Sequence, residues 1–365
     1  MEPEPRKAPI RFYEIDLLRF LAAMSVVVYH YTYRGYAQGD YSPIAFPGIG
    51  LVTRYGYLGV ELFFIISGYV VLLSAQGKTV RQFFLSRLTR LYPAYWVACT
   101  LTFVVKRLWG TSPVDTHMSA LLHAGVGQYA YNMTMLQDFF RVPVMDGAYW
   151  SLSVEITFYF IISLLIGYKL LEHIDWFILF WLAYAALPGR FHAGSAFDTL
   201  LFPEYAPYFS AGMLFYLLQA PQGRTVRRYI LLLVSYLLAM RVCRSHTLLV
   251  ANYFHDTFSW QLACATVSAF FLIVYLVAFR KINLSKFTCL AWLGTLTYPL
   301  YLIHSDIAFI AFHRLGAFYN KYLLVGGAIV LMILAAYLIH VLVEKRLSKP
   351  LGRLVNRWLD YLASA

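Results

Sequence analysis

Apolar windows of bilayer length recur along this chain and leave it one class of fold. They lie near 10–32, 57–76, 93–109, 149–170, 205–219, 228–243, 258–279, 290–312 and 323–343, with a shorter run at 174–188 closed by Pro188-Gly189. A bilayer core offers no water to backbone N–H and C=O groups, so segments of this kind become helices. The expectation is an all-α polytopic transmembrane helix bundle of about ten spans. Several windows fall short of the usual ~20 residues and need flanking residues to reach across. The 365 residues are 60% hydrophobic and 13% charged, which excludes an ordinary soluble domain.

An even number of spans puts both termini on one side, and the basic residues choose it. Arg6, Lys7 and Arg11 at the start, the even-numbered loops, and Lys345, Arg346, Lys349, Arg353 and Arg357 at the end carry most of the positive charge. The opposite side holds fewer, Arg34, Lys106, Arg241 and Arg244 among them. Both termini are therefore expected in the cytoplasm, in a multi-pass protein of the cell inner membrane. The excess of 30 Lys+Arg over 18 Asp+Glu is then a topological signal, and no nucleic-acid partner is expected. Residues 1–365 read as a single transmembrane domain, with spans inside 10–343 and a cytoplasmic basic tail at 344–365 lying as a surface helix. The first apolar run has no cleavage signature and reads as a retained span. The stretch between the third and fourth windows is broken by Pro113, Gly125, Gly127, Asn132, Pro143 and Gly147 and reads as an external or re-entrant cover over a cavity. Cys99, Cys243, Cys264 and Cys289 have no metal or disulfide spacing and read as small buried hydrophobes, and no metal site is expected.

Ionisable residues inside such windows are costly and mark function. In D-L-L-R-F-L-A-A-M-S-V-V-V-Y-H, Arg19 and His30 lie within roughly 20° of one helix face and about 16 Å apart along it. Asp16 is spaced to pair with Arg19. With the expected topology, His30, Glu61, Glu155 and His304 reach similar depths in the outer half, while Arg87 and Arg90 stand at the cytoplasmic mouth, where a phosphorylated ligand is held most readily. Gly56, Gly59 and Gly68 read as points of close helix approach.

Five segments in chain order, the Arg19/His30 pair, G-V-E-L-F-F-I-I-S-G-Y, R-L-T-R-L-Y-P-A-Y-W, Y-W-S-L-S-V-E and Y-P-L-Y-L-I-H, resemble the acyltransferase-3 family of integral-membrane acyltransferases. The resemblance runs from Asp16 to Glu344. It implies a bacterial O-acyltransferase that takes an acyl group, acetyl being expected, from an acyl-CoA on the cytoplasmic side to a saccharide hydroxyl of a surface or exported polysaccharide or its lipid-linked precursor. The first-span arginine and histidine are implied to be needed for activity. Leu17 and Phe20 stand where many members have glycine, and Glu61 where aspartate is frequent; neither change removes a chemical group. The chain is expected to be a membrane-only member without an appended esterase-like domain.

Acyl transfer to a hydroxyl needs a base and a group that steadies the oxyanion. His30 is the expected base, with Glu61 or Glu155 orienting it, the choice between them being open. Arg19, Ser67, Arg87 and Arg90 are assigned to the acyl-CoA donor, and Trp150, Tyr301 and His304 to the acceptor. A transient acyl-His30 is an open variant. Competing readings are acylation of a small hydroxylated product such as a macrolide, a proton-coupled secondary transporter, and a haem protein using His30 and His304 as ligands. The oligomeric state, a homodimer being one option, is open.

Overall fold

Residues 12–112, 118–187 and 196–364 are described by the structure, a computed structural model. Arg6, Lys7, Arg11, Pro113, Pro188 and Gly189 lie outside the described residues. Among those described, every regular element is helical.

Most expected windows emerge as one helix each. These are α1 (Tyr13–Tyr29), α2 (Gly59–Ala75), α3 (Val80–Trp109), α4 (Trp150–Gly167), α5 (Ile174–Ala186), α6 (Ala206–Gln219), α7 (Val226–Phe254), α8 (Trp260–Ala278), α9 (Leu290–Ile303), α10 (Asp306–Leu315) and α11 (Lys321–Ile339). A final helix, α12 (Lys345–Ser364), continues α11 through a π-helical turn at His340–Glu344 and packs on α3. There Arg81 donates to the Asn356 carbonyl at 2.8 Å and to Asp360 at 2.5 Å. Four helical stretches among the described residues are long and apolar enough to cross a membrane: Pro47–Ala75, Gly147–Gly167, Trp260–Ala278 and Lys321–Ser364.

Two expectations change. Lys106, Arg241 and Arg244 are not loop charges but lie within α3 and α7, which are 30 and 29 residues long and extend beyond their apolar windows. The 290–312 window is two helices rather than one, broken between His304 and Ser305. The cysteines are free, with Cys99 and Cys243 buried as expected but Cys289 exposed.

Glycines set how closely the inner helices approach. A Cβ on Gly56 would meet the Ser25 carbonyl at 2.4 Å, and one on Gly59 the Ala22 carbonyl at 2.6 Å, so α1 lies directly on the backbone at the start of α2. Further along α2, a Cβ on Gly68 would sit 2.1 Å from the Phe209 carbonyl, and one on Gly212 of α6 only 1.9 Å from the Ile65 carbonyl. This reciprocal pair makes α2 and α6 a backbone-on-backbone contact, the small-residue packing that membrane helices favour. On its other side α1 packs against α9. Helices α1 and α9 run in one direction, and α2 and α4 in the other.

The break between α9 and α10 is held by a buried polar network. Asp146 accepts from the Asp306 amide at 3.0 Å and from the Ala148 amide at 2.9 Å. Asp306 accepts from the Gly147 amide at 3.2 Å and Ser305 Oγ at 3.1 Å, and it pairs with Lys106 Nζ at 2.7 Å. Lys106 also donates to the Leu121 carbonyl at 2.8 Å. The lysine has burial instead of the solvent exposure expected of it, and three segments distant in sequence are fastened to one ammonium and two carboxylates.

Gly212→Ala is expected to destabilise by about 1–3 kcal/mol, because the added methyl meets backbone that has to move. Thermal unfolding in detergent reads this out against Gly326→Ala, whose Cβ would meet nothing within 4 Å. Lys106→Met strands a buried carboxylate and is expected to cost about 3–5 kcal/mol. Adding Asp306→Asn to it should restore part of that loss in the same assay.

Candidate active site

The site starts from the face of α1 that carries Arg19, Ala23, Val26 and His30 on successive turns. At His30 the helix becomes a π-helical turn, His30–Arg34, in which the Gly35 amide bonds to the His30 carbonyl. Such single turns insert one residue into an α-helix and occur often at functional positions. Here the turn keeps Arg34 over His30, with Arg34 Nη1 2.9 Å from His30 Nε2. From the facing helix, His304 at the C-cap of α9 meets the same ring. His30 Nδ1 and His304 Nε2 are 2.7 Å apart, the rings lie 17° from parallel, and His304 Nδ1 is 2.8 Å from the Tyr301 carbonyl. The Tyr31 hydroxyl donates to the His304 carbonyl at 2.8 Å, fixing the break from behind. Both imidazoles are buried.

The network assigns the protons. A guanidinium only donates and a carbonyl only accepts. Arg34 therefore donates to His30 Nε2, His30 Nδ1–H donates to His304 Nε2, and His304 Nδ1–H donates to the Tyr301 carbonyl. Every bond is satisfied by two neutral imidazoles arranged in one direction. At 2.7 Å the two nitrogens are at hydrogen-bond distance, closer than the roughly 4 Å that two metal–nitrogen bonds of about 2 Å would span.

Beyond Tyr301 a narrow cavity of about 60 Å³ is lined by Arg19, Ser67, Arg90, Ser151, Glu155 and Tyr301 among others. The Tyr301 hydroxyl and Ser151 Oγ, 2.7 Å apart, close its histidine end. At its other end a wider cavity of about 530 Å³ shares Arg19, Arg90, Gly294 and Tyr298 with it and adds Asp16, His340, Glu344 and Lys345. The two form one route that widens away from the histidines. Arg19 stands at the junction, with its Nε buried and unpartnered, and Arg90 lies exposed beside it.

The expected residues divide accordingly. Arg19, Ser67, Arg90, Glu155 and Tyr301 meet along one cavity, and His304 joins His30. Neither Glu61 nor Glu155, expected beside His30, hydrogen-bonds to that ring; His304 is the side chain at its Nδ1. Glu61, in the first turn of α2, points toward α7, where His246 Nδ1 is 3.5 Å away. Glu155 Oε1 accepts from Ser67 Oγ at 3.1 Å and the Tyr159 hydroxyl at 2.5 Å, below the dyad. Arg87 stacks over the Phe83 and Tyr159 rings and lines neither cavity. Trp150 packs between Phe64 and Tyr205, also off the route. Among the described residues no three His, Cys, Asp or Glu side chains converge as metal ligands.

Sequence reasoning missed Arg34, Asp146, Asp306 and the inward role of Lys106. Arg34 had a signal, since it follows His30 by four residues, the spacing of helical neighbours. Lys106 and Asp306 are two hundred residues apart and had none.

Comparison with known proteins gives the same direction. A 158-residue stretch is 28% identical to a putative peptidoglycan O-acetyltransferase of Bacillus subtilis (strain 168), covering 40% of this chain and 22% of that protein. A 163-residue stretch is 26% identical to a peptidoglycan O-acetyltransferase of Listeria monocytogenes, covering 40% of this chain and 23% of the relative. The matched region thus spans less than a quarter of either relative's length. No solved structure matches. The acyltransferase domain model matches residues 12–341, nearly the whole of the described chain, and the protein belongs to that acyltransferase family.

Proposed function

We propose that this protein is a multi-pass membrane O-acyltransferase that moves an acyl group, acetyl by analogy with the named relatives, onto a saccharide hydroxyl, with His30 as general base. The observation that carries this reading is the one-directional hydrogen-bonded chain from Arg34 through His30 and His304 to the Tyr301 carbonyl, at the closed end of a route with Arg19 and Arg90 along it.

In the reaction the acceptor hydroxyl takes the place of Arg34 at His30 Nε2. As its oxygen attacks the acyl carbonyl carbon, its proton passes to Nε2 and the carbonyl π pair moves to oxygen. His304 accepts from Nδ1–H before and after this transfer, so the ring keeps its tautomer and orientation, the task a carboxylate performs in a serine-hydrolase triad. Collapse of the tetrahedral intermediate restores the carbonyl, breaks the bond to the leaving group, and sends the proton from Nε2 to that group. A second neutral imidazole stabilises the transient cation less than a carboxylate does, and it costs less to bury.

The donor we assign is an acyl-CoA. What supports it is the shape and charge of the route: a wide mouth of about 530 Å³ with Arg90 and Lys345 for phosphates, narrowing past Arg19 to a cavity of about 60 Å³ toward the histidines. Arg87, stacked on two rings, is left out of that role. The saccharide then approaches from the Arg34 side. We further propose ten spans with both termini cytoplasmic in the inner membrane; moving Lys106 from the outer loops into the bundle sharpens the positive-inside asymmetry.

Purified protein in nanodiscs, supplied with acetyl-CoA and a soluble peptidoglycan fragment and followed by free-thiol release, tests this directly. His30→Gln and His304→Gln are each expected to lower turnover by about 10²–10⁴-fold with the fold intact. Full turnover in His30→Gln would overturn the base assignment. Acceptor-independent behaviour of the wild type, together with solute flux in proteoliposomes, would instead support transport. Arg90→Ala is expected to raise KM for acetyl-CoA about tenfold with kcat little changed, the loss of one charge-assisted contact.

A further inference from the structure

The proposed reaction leaves one requirement unassigned, a donor for the oxyanion. Arg34 is the cation that hydrogen-bonds to the dyad, and its partners are unusual. Nη1 donates to His30 Nε2 at 2.9 Å and Nε to Gln38 Oε1 at 3.4 Å, and among the described residues it forms no ion pair. Three other half-buried or buried cations have carboxylates: Lys106 has Asp306, Arg54 has Asp256 at 3.6 Å, and Arg228 has Asp175 at 2.9 Å. Gln38 is itself held by the Tyr253 hydroxyl at 2.5 Å, so the stem of Arg34 is anchored on the side away from His30.

A cation donating to the lone pair of a base works against that base in the resting state. The arrangement becomes productive when the proton moves. Nε2 has one lone pair, so the guanidinium leaves when the acceptor hydroxyl donates there, and once Nε2 carries the proton the guanidinium cannot return. It is then free as the acyl carbonyl oxygen becomes negative. The four-residue spacing within the π-turn tethers it beside Nε2, and two terminal nitrogens carry donors free to reach that oxygen. On the reading of His30 as base, on which this inference rests, we propose that Arg34 is the oxyanion-stabilising residue of the site, parked on His30 Nε2 until an acceptor hydroxyl displaces it.

The step balances without further reactants. The acceptor C–O bond forms as the O–H proton passes to Nε2, and the carbonyl pair goes to oxygen, where an Arg34 N–H donates. On collapse the pair returns, the carbon–sulfur bond breaks, and the thiolate takes the proton from Nε2. Arg34 then goes back to its resting acceptor.

Two measurements on the full chain in nanodiscs test the proposal. The first uses no substrate: diethyl pyrocarbonate labels imidazole nitrogens with a free lone pair, and mass spectrometry reads the rate at His30. Arg34→Gln is expected to label several-fold faster than wild type, and Arg34→Lys at close to the wild-type rate. The second follows acetyl-CoA and the soluble peptidoglycan fragment. Arg34→Gln is expected to lower kcat by about 10²-fold with both KM values within twofold, Arg34→Lys to recover part of it, and millimolar guanidinium to rescue Arg34→Ala. Unchanged His30 labelling in Arg34→Gln, or a loss confined to acceptor KM, would overturn the proposal. A full kcat in Arg34→Gln while His30→Gln is inactive removes this assignment alone; full activity in both variants removes the general-base reading with it.

Discussion

One buried ion pair fixes the turn from α9 into α10, beside the two histidines. Lys106 and Asp306, joined at 2.7 Å and supported by Asp146, hold the chain at the point where α9 stops and α10 begins. His304 caps α9 at helical φ −78° and ψ −26°, so α9 sets the face its ring takes, nearly parallel to His30 and within one hydrogen bond, and the chain turns into α10 from Ser305. A charged pair in this place is not the cheapest way to stabilise a bundle, because two ions lose their water. What it provides is location: ammonium and carboxylate oxygens tolerate few geometries, whereas an apolar plug of similar volume permits many.

The same logic explains why the dyad is built from two histidines and not from the histidine–carboxylate pair that acyl-transfer chemistry suggests. Helix geometry gives Glu61 and Glu155 other neighbours. Glu61 turns toward His246 on α7, and Glu155 is occupied by Ser67 and Tyr159 one turn farther down the cavity. Glu61 is buried and Glu155 half-buried, each with partners other than His30. A carboxylate against His30 would also face Arg34, and the guanidinium would pair with it rather than with the imidazole. A neutral second histidine avoids that competition and leaves Arg34 on the base.

The parts of the site legible in the sequence are those set by a single helix. Arg19 and His30 share a face because eleven residues is close to three turns, and Gly56, Gly59 and Gly68 marked close approaches that the backbone contacts bear out. The windows gave the helices, since apolar length and period are local quantities. What stayed hidden depends on contacts between distant segments. Lys106 looked like an exposed terminal charge at the end of a window, because nothing within thirty residues of it carries its acid. The 290–312 window looked continuous because His304-Ser305-Asp306 is short, polar in only three positions, and flanked by apolar residues on both sides. Arg87 and Arg90, three apart, looked alike; the rings of Phe83 and Tyr159 separate them.

The two π-helical turns give the route its polarity. One, at His30–Arg34, stands at the closed end, and the other, at His340–Glu344, at the open mouth. Each extra residue brings a histidine and the side chain four positions on to hydrogen-bonding distance, 2.9 Å to Arg34 in one case and 2.6 Å to Glu344 in the other. The partners have opposite charge and impose opposite constraints. Arg34 occupies a lone pair and leaves His30 with a nitrogen that a hydroxyl has to claim. Glu344 instead uses a proton of His340 and places an acid near Lys345, Arg19 and Arg90, so the mouth is an array of both signs and not a uniformly basic patch. A ligand held there gains from matching several groups at fixed spacing more than from charge alone, which favours a large, multiply charged donor at that end over a neutral one. On the proposed reading, an uncharged sugar hydroxyl takes the other end, where a single imidazole lone pair, released by one guanidinium, receives its proton.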